Sequence, residues 1–148
     1  MLSEKVTVKK LRDDAVIPTY GSEYAAGADL YACTEGITEF APGETKMIPT
    51  GLAMEIPVGY AGLIYARSGL ATKKGLAPAN KVGVVDSDYR GEVMVSLHNH
   101  STETKTIEPH ERIAQLVITP YLTAIFEEAD ELSDTVRGEG GFGSTGSK

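Results

Sequence analysis

Val93-Met94-Val95-Ser96-Leu97-His98 alternates so that Val93, Val95 and Leu97 fall on one side of an extended chain. A period of two marks a strand with one buried face. Similar short runs occur at Lys5–Leu11, Met47–Ile56, Gly62–Tyr65 and Ile113–Ile118. The clusters Pro42-Gly43, Pro57-Val58-Gly59, Asp88-Tyr89-Arg90-Gly91 and Glu108-Pro109-His110-Glu111 separate them and punctuate like turns. Many short strands imply a sandwich or barrel. The one helix expected is Ser68–Lys74, about two turns long, with Ser68 as its N-cap and Gly75 as its stop. No repeat is visible, and the only low-complexity segment is the C-terminal tail.

At 148 residues the chain fits one domain, able to bury roughly 68–70% of the surface its unfolded form exposes. Its 41% hydrophobic and 24% charged residues are ordinary for a soluble globular protein. The formal charge of −7 argues against a general binder of nucleic acid or membrane surfaces, so an anionic ligand has to be met locally. The single cysteine, Cys33, excludes an internal disulfide and sits in an apolar stretch, where a buried inert thiol is the expectation. Neither a signal peptide nor an apolar run of ~18 residues is present, which points to a cytoplasmic protein.

Four stretches mix glycine with polar groups, and a fifth, Glu111–Leu116, sets polar groups within an apolar run. In the tail, Arg137 to Ser147 combines five glycines with an arginine, an aromatic ring and three hydroxyls. Such a segment cannot fold alone. Its N–H groups, Arg137, Ser144, Thr145 and Ser147 suit phosphate oxygens, and Phe142 offers a flat face for a base. A solvated Gly/Ser terminus fits the same composition. Ala26-Gly27-Ala28-Asp29-Leu30-Tyr31 places an acid that either orients metal-bound water or accepts backbone N–H groups at a turn. Arg67-Ser68-Gly69 reads as a phosphate-facing helix start or as simple capping. Across 83–91, expected as a hairpin, Asp86 and Asp88 stand two apart, and spacing does not say which is a general base and which is solvated. In Glu111–Leu116, Arg112 and Gln115 interrupt an apolar run in the manner of an edge strand.

Taken in order, A-G-A-D-L at 26–30, R-S-G-L-A at 67–71, G-V-V-D-S-D-Y-R-G at 83–91, R-I-A-Q-L at 112–116 and R-G-E-G-G-F-G-S-T-G at 137–146 resemble the trimeric deoxyuridine triphosphatase (dUTPase) family over nearly the whole chain. The resemblance implies an all-β, jelly-roll-like barrel with one short helix and a flexible Gly-rich arm. It divides the chain into a catalytic barrel over 1–136 and a mobile arm over 137–148 that closes over a neighbouring active site. It implies a homotrimer whose sites draw motifs from all three copies, hydrolysing dUTP to dUMP and pyrophosphate. That reaction keeps uracil out of DNA and supplies dUMP for thymidylate synthesis.

By the same resemblance, Asp86 activates the water that attacks the α-phosphorus, and Tyr89 lies under the deoxyribose. Asn80 and the backbone of the 80–91 stretch, Val85 included, read the uracil edge. Arg67, Ser68, Gly69 and Gln115 match phosphate-site residues, and Arg137, Phe142, Gly143, Ser144 and Thr145 match the closing arm. Asp29 matches a residue that orients metal-bound water. Mg2+ is implied by chemistry too, because a triphosphate carries about four negative charges that an acidic protein does not offset. No direct protein ligand for it is expected. His98 and His100 read as surface histidines rather than a zinc pair. Two positions depart from the family pattern: Ala66 stands where proline is common, and His110 where glycine is frequent. A dCTP deaminase-like enzyme of related fold, a non-hydrolysing nucleotide-binding regulatory module and a purely structural trimer are the alternatives.

Overall fold

A computed structural model describes residues 2–146, which form twelve strands and one short helical segment. The strands are β1 (Thr7–Lys10), β2 (Thr19–Tyr20), β3 (Ala28–Tyr31), β4 (Thr38–Phe40), β5 (Thr45–Pro49), β6 (Leu52–Glu55), β7 (Tyr60–Tyr65), β8 (Leu76–Pro78), β9 (Gly83–Val85), β10 (Met94–Asn99), β11 (Lys105–Ile107) and β12 (Arg112–Pro120). The protein is all-β, as the period-two runs indicate. The largest sheet has the order β2-β3-β12-β7-β9, a second has β5-β10-β8, and β1 pairs with β6 and β11 with β4. All the pairings are antiparallel.

Alternation decides which side chains these sheets enclose. Val93, Val95 and Leu97 are at most 2% exposed and join Phe40, Leu52, Ile107 and Ile113 in one core. Asn99 continues the same face and is fully buried. Its amide donates to the carbonyls of Phe40 (2.9 Å) and Glu103 (2.8 Å), and its Oδ1 accepts from Ser101 N–H and Oγ–H, so its polar atoms are matched.

The expected run Met47–Ile56 is two strands. Gly51 breaks it with φ +70, and a Cβ there would lie 2.9 Å from both Ala15 Cβ and Cys33 Sγ. A left-handed backbone and a closed space both exclude a side chain. Gly51→Ala is therefore expected to destabilise the fold by about 2–4 kcal/mol, read from urea midpoints. Cys33 is 1% exposed, and burial pushes its thiol pKa up, which fits the inert role.

Three sequence expectations need correction. The strand carrying Arg112 and Gln115, β12, is the central strand of its sheet, paired with β3 and β7, and not an edge strand. The stretch 83–91 is not a hairpin, because β9 pairs with β7 while β10 pairs with β5 and β8, so the chain crosses from one sheet to another. Alternation cannot reveal such a partner switch. The helical segment, Leu70–Lys74, does end at Gly75 in the left-handed conformation (φ 69), but it is wound as a π-helix and no side chain caps its start. Ser68 is thus not its N-cap. His110 does adopt positive φ (63°), the strained geometry that a glycine would accept freely. Its backbone N–H donates to Ala32 (2.8 Å) and its ring Nε2–H to the Asp14 carbonyl (3.0 Å), which offsets part of that strain.

Candidate active site

The order β3-β12-β7 brings three motifs side by side. Gln115 on β12 pairs in register with Asp29 on β3 and with Tyr65 on β7, two residues before Arg67. Asp29, 9% exposed, accepts a hydrogen bond from Arg67 Nε at 3.0 Å, and Arg112 Nη1 stands 3.5 Å from its other oxygen. It therefore lies on a strand between two guanidinium groups and is not an acceptor at a turn. Arg67 Nη1 also donates to the Arg112 carbonyl (3.3 Å). Gln115 Nε2 donates to the Ala66 carbonyl at 2.8 Å, a group that proline would also provide, so the alanine costs no bond there. Gly27 is required by the same glutamine, since a Cβ at 27 would overlap Gln115 Oε1. Ser68 and Gly69 are exposed beside this basic cluster.

A separate cavity of about 270 Å³ is lined by Met47, Ile64, Asn80, Gly83, Val84, Val85, Asp86, Tyr89, Glu92, Val93 and Met94. It gathers four residues singled out in the sequence, namely Asn80, Val85, Asp86 and Tyr89. It also separates the two acids: Asp86 faces the cavity at the end of β9, whereas Asp88 sits in the following turn and is not part of the lining. The apolar wall from Met47, Ile64 and Met94 was not legible in the sequence, because it arises from strands of two different sheets. Glu92 was passed over as well, although it directly follows the 83–91 motif.

The basic cluster and the cavity both adjoin β7: the cavity reaches Ile64 and Gly83, paired near its C-terminal end, and extends to Asp86 toward the other. Arg67 follows the C-terminal end of that strand, while β9 runs antiparallel to it and leaves with Val85 opposite Gly62. From Gly62 to Tyr65 is roughly 10 Å at about 3.3 Å per residue. Asp86 exits beyond that point, away from Arg67, and none of Arg67, Ser68, Gly69 and Gln115 lines the cavity.

The tail forms a third group. Arg137 Nε donates to the Gly140 carbonyl (2.6 Å), and Gly138 N–H to Thr135 Oγ1 (3.0 Å). Ser144 N–H donates to Gly141 and Gly146 N–H to Gly143. Phe142 is fully exposed with φ +50, and Gly143 has φ +89. Arg137, Ser144 and Thr145 are exposed too, and Ser147 lies outside the described residues.

Comparison with known proteins decides what these motifs belong to. The family model described as dUTPase matches residues 13–146. This chain is a member of the dUTPase family. The deoxyuridine 5'-triphosphate nucleotidohydrolase of Nautilia profundicola is 53% identical over 96% of this chain and 99% of its own length. The enzyme of the same name from Syntrophotalea carbinolica is 48% identical over 95% and 96%. Among solved structures, the dUTPase of Staphylococcus bacteriophage 80alpha with dUpNHpp superposes with a TM-score of 0.89 at 30% identity, covering 97% of this chain and 99% of that one. The all-β dUTPase fold is thus common to sequence and structural relatives.

Among the described residues, no three His, Cys, Asp or Glu side chains gather in a group able to hold a metal ion. His98 is bonded through Nδ1 to Thr45 Oγ1 (2.8 Å), and His100 is exposed. No helix among the described residues is long and apolar enough to cross a membrane.

Proposed function

We propose that this dUTPase hydrolyses dUTP to dUMP and pyrophosphate by water attack on the α-phosphorus, at sites completed between three copies of the chain. The observation that carries the reading is the cavity holding Asp86, Asn80 and Tyr89, which none of Arg67, Ser68, Gly69 and Gln115 lines. One copy holds the parts in separate places, and a neighbour supplies what each part lacks. The exposed side chains of Leu122, Ile125, Phe126, Leu132 and Val136, each at least 91% accessible in the single chain, support that assembly. Monomeric proteins rarely leave such a run of apolar groups in water.

Within this site Asp86 is the general base that takes the proton of the attacking water. Asn80 and the backbone around Val85 read the uracil edge against the apolar wall of Ile64 and Met47. Arg67, Ser68, Gly69 and Gln115 hold the phosphates, where the planar guanidinium suits two oxygens at once. Residues 137–148 act as an arm, with Arg137, Gly143, Ser144 and Thr145 closing on the phosphates and Phe142 covering the base. Mg2+ would be held by phosphate oxygens and water, with Asp29 orienting one water; the described residues gather no carboxylate cluster of their own for it. When bound, it supplies positive charge against the triphosphate. A cytoplasmic location is consistent with the free, buried Cys33.

Tyr89 excludes a 2′-hydroxyl by contact. Tyr89→Ala should therefore lower the ratio of kcat/KM for dUTP to that for UTP; an unchanged ratio in a folded variant would mean that the sugar is read elsewhere. The activity itself is tested with eight ribo- and deoxynucleoside triphosphates and magnesium. Conversion of dUTP alone to monophosphate and pyrophosphate is expected, whereas ammonia release from dCTP would indicate a deaminase.

A further inference from the structure

Among the residues lining the cavity is one acid that the reaction proposed above does not use, Glu92. We propose that Glu92, together with Gly91, is a positioning residue that sets sugar discrimination by fixing the ring of Tyr89. The inference rests on the reading of Tyr89 as the floor of the sugar site.

Tyr89 is 45% exposed and follows a turn, so little packing of its own holds it. Two features fix it instead. Its ring lies across Gly91, where an added Cβ would stand 2.5 Å from Tyr89 Oη and 2.6 Å from Cζ. Its hydroxyl donates to the Glu92 carbonyl at 2.8 Å. Glu92 is itself tied down, because its Oε2 accepts the N–H of Gly51 at 2.8 Å. Gly51 is buried in the β5–β6 turn, whose left-handed backbone and lack of space for a Cβ leave it no freedom to shift. The next residue is stitched to the same turn: Val93 N–H donates to Leu52, and Thr50 donates to the Val93 carbonyl through N–H (3.2 Å) and Oγ1–H (2.6 Å).

Glu92 thus links the tyrosine ring to the interior of the barrel, its backbone carbonyl accepting from the ring hydroxyl and its carboxylate from Gly51. Exclusion by contact needs such a reference, since a ring free to move by an ångström admits an extra oxygen. Glu92 acts at a distance through the ring and touches no reacting atom.

The test compares dUTP-to-UTP ratios of kcat/KM for Glu92→Gln, Glu92→Met, Gly91→Ala and Tyr89→Ala. Methionine keeps the length of the side chain and removes the acceptor, and should lower the ratio by about three- to tenfold, the scale of one lost hydrogen bond. Glutamine retains an oxygen for the Gly51 N–H and should restore a ratio near that of the parent. Gly91 does not have a positive φ, so alanine suits its backbone and only the ring has to yield; Gly91→Ala should lower the ratio at least as far as methionine at 92. A merely structural role for Glu92 would lower Tm and both kcat/KM values together, leaving the ratio unchanged and overturning the proposal. Should Glu92→Met fail to fold, Gly91→Ala decides alone. An unchanged ratio in Tyr89→Ala would overturn the sugar-site reading itself, while a lowered ratio there with unchanged ratios in folded Glu92→Met and Gly91→Ala would overturn only the positioning role.

Discussion

Asp86→Asn should lower the turnover of dUTP by roughly 10²–10⁴, the usual worth of a general base, with little change in fold. Asparagine keeps the size of the side chain and cannot accept the proton of the attacking water. Asp86 is exposed at the edge of the core, so its replacement leaves no buried group unpaired. Asp88→Asn serves as the internal control. It sits in the turn whose Tyr89 N–H closes on the Asp86 carbonyl (3.2 Å), outside the cavity lining, and its substitution should cost far less. Steady-state kinetics of both variants decide the matter. Equal losses in kcat would contradict the assignment and require the two acids to be treated as one coupled site.

Deleting Gly138–Lys148 should leave assembly and melting nearly intact while kcat falls at least about tenfold, or ~1.4 kcal/mol of transition-state stabilisation. The removed segment has Phe142 as its single large apolar group, and that ring is fully exposed in one chain. The apolar run from Leu122 to Val136 stays in place. On the proposal that the arm acts chiefly on the phosphate chain, binding of the product dUMP should change little. Mixing tail-deleted chains with Asp86→Asn chains sharpens the test. If a site borrows its arm and its base from different copies, some mixed trimers regain a complete site and activity. Absence of rescue, with subunit exchange confirmed, would contradict the shared site.

Alternation made the fold class readable because each strand buries one face, and Val93, Val95 and Leu97 show this most plainly. What alternation could not carry was partnership. Whether Gly83–Val85 pairs with its neighbour in sequence or with β7 depends on contacts distant along the chain, and the hairpin expectation failed there. Likewise, Met47–Ile56 reads as one run until the left-handed Gly51 divides it. In the site, the glycine-bounded motif 83–91 marked Asp86 and Tyr89, since loops with small residues between strands are where backbone approaches a ligand, whereas Gln115 stood out as a polar residue within the apolar run of β12. The spacing of Asp86 and Asp88 was uninformative because the segment turns at Ser87 and Asp88, so an extended geometry does not apply. Arg112 and Glu92 looked like ordinary polar residues, and only the bonds to Asp29 and Gly51 distinguish them. The buried Asn99 was invisible for a related reason, since its partners Phe40 and Glu103 come from other segments.

The most direct measurement is a single turnover of dUTP with magnesium in water enriched in oxygen-18, with both products analysed by mass. Attack on the α-phosphorus places the label in dUMP and leaves pyrophosphate unlabelled. Label in pyrophosphate, or no turnover of dUTP by the assembled protein, would contradict the account.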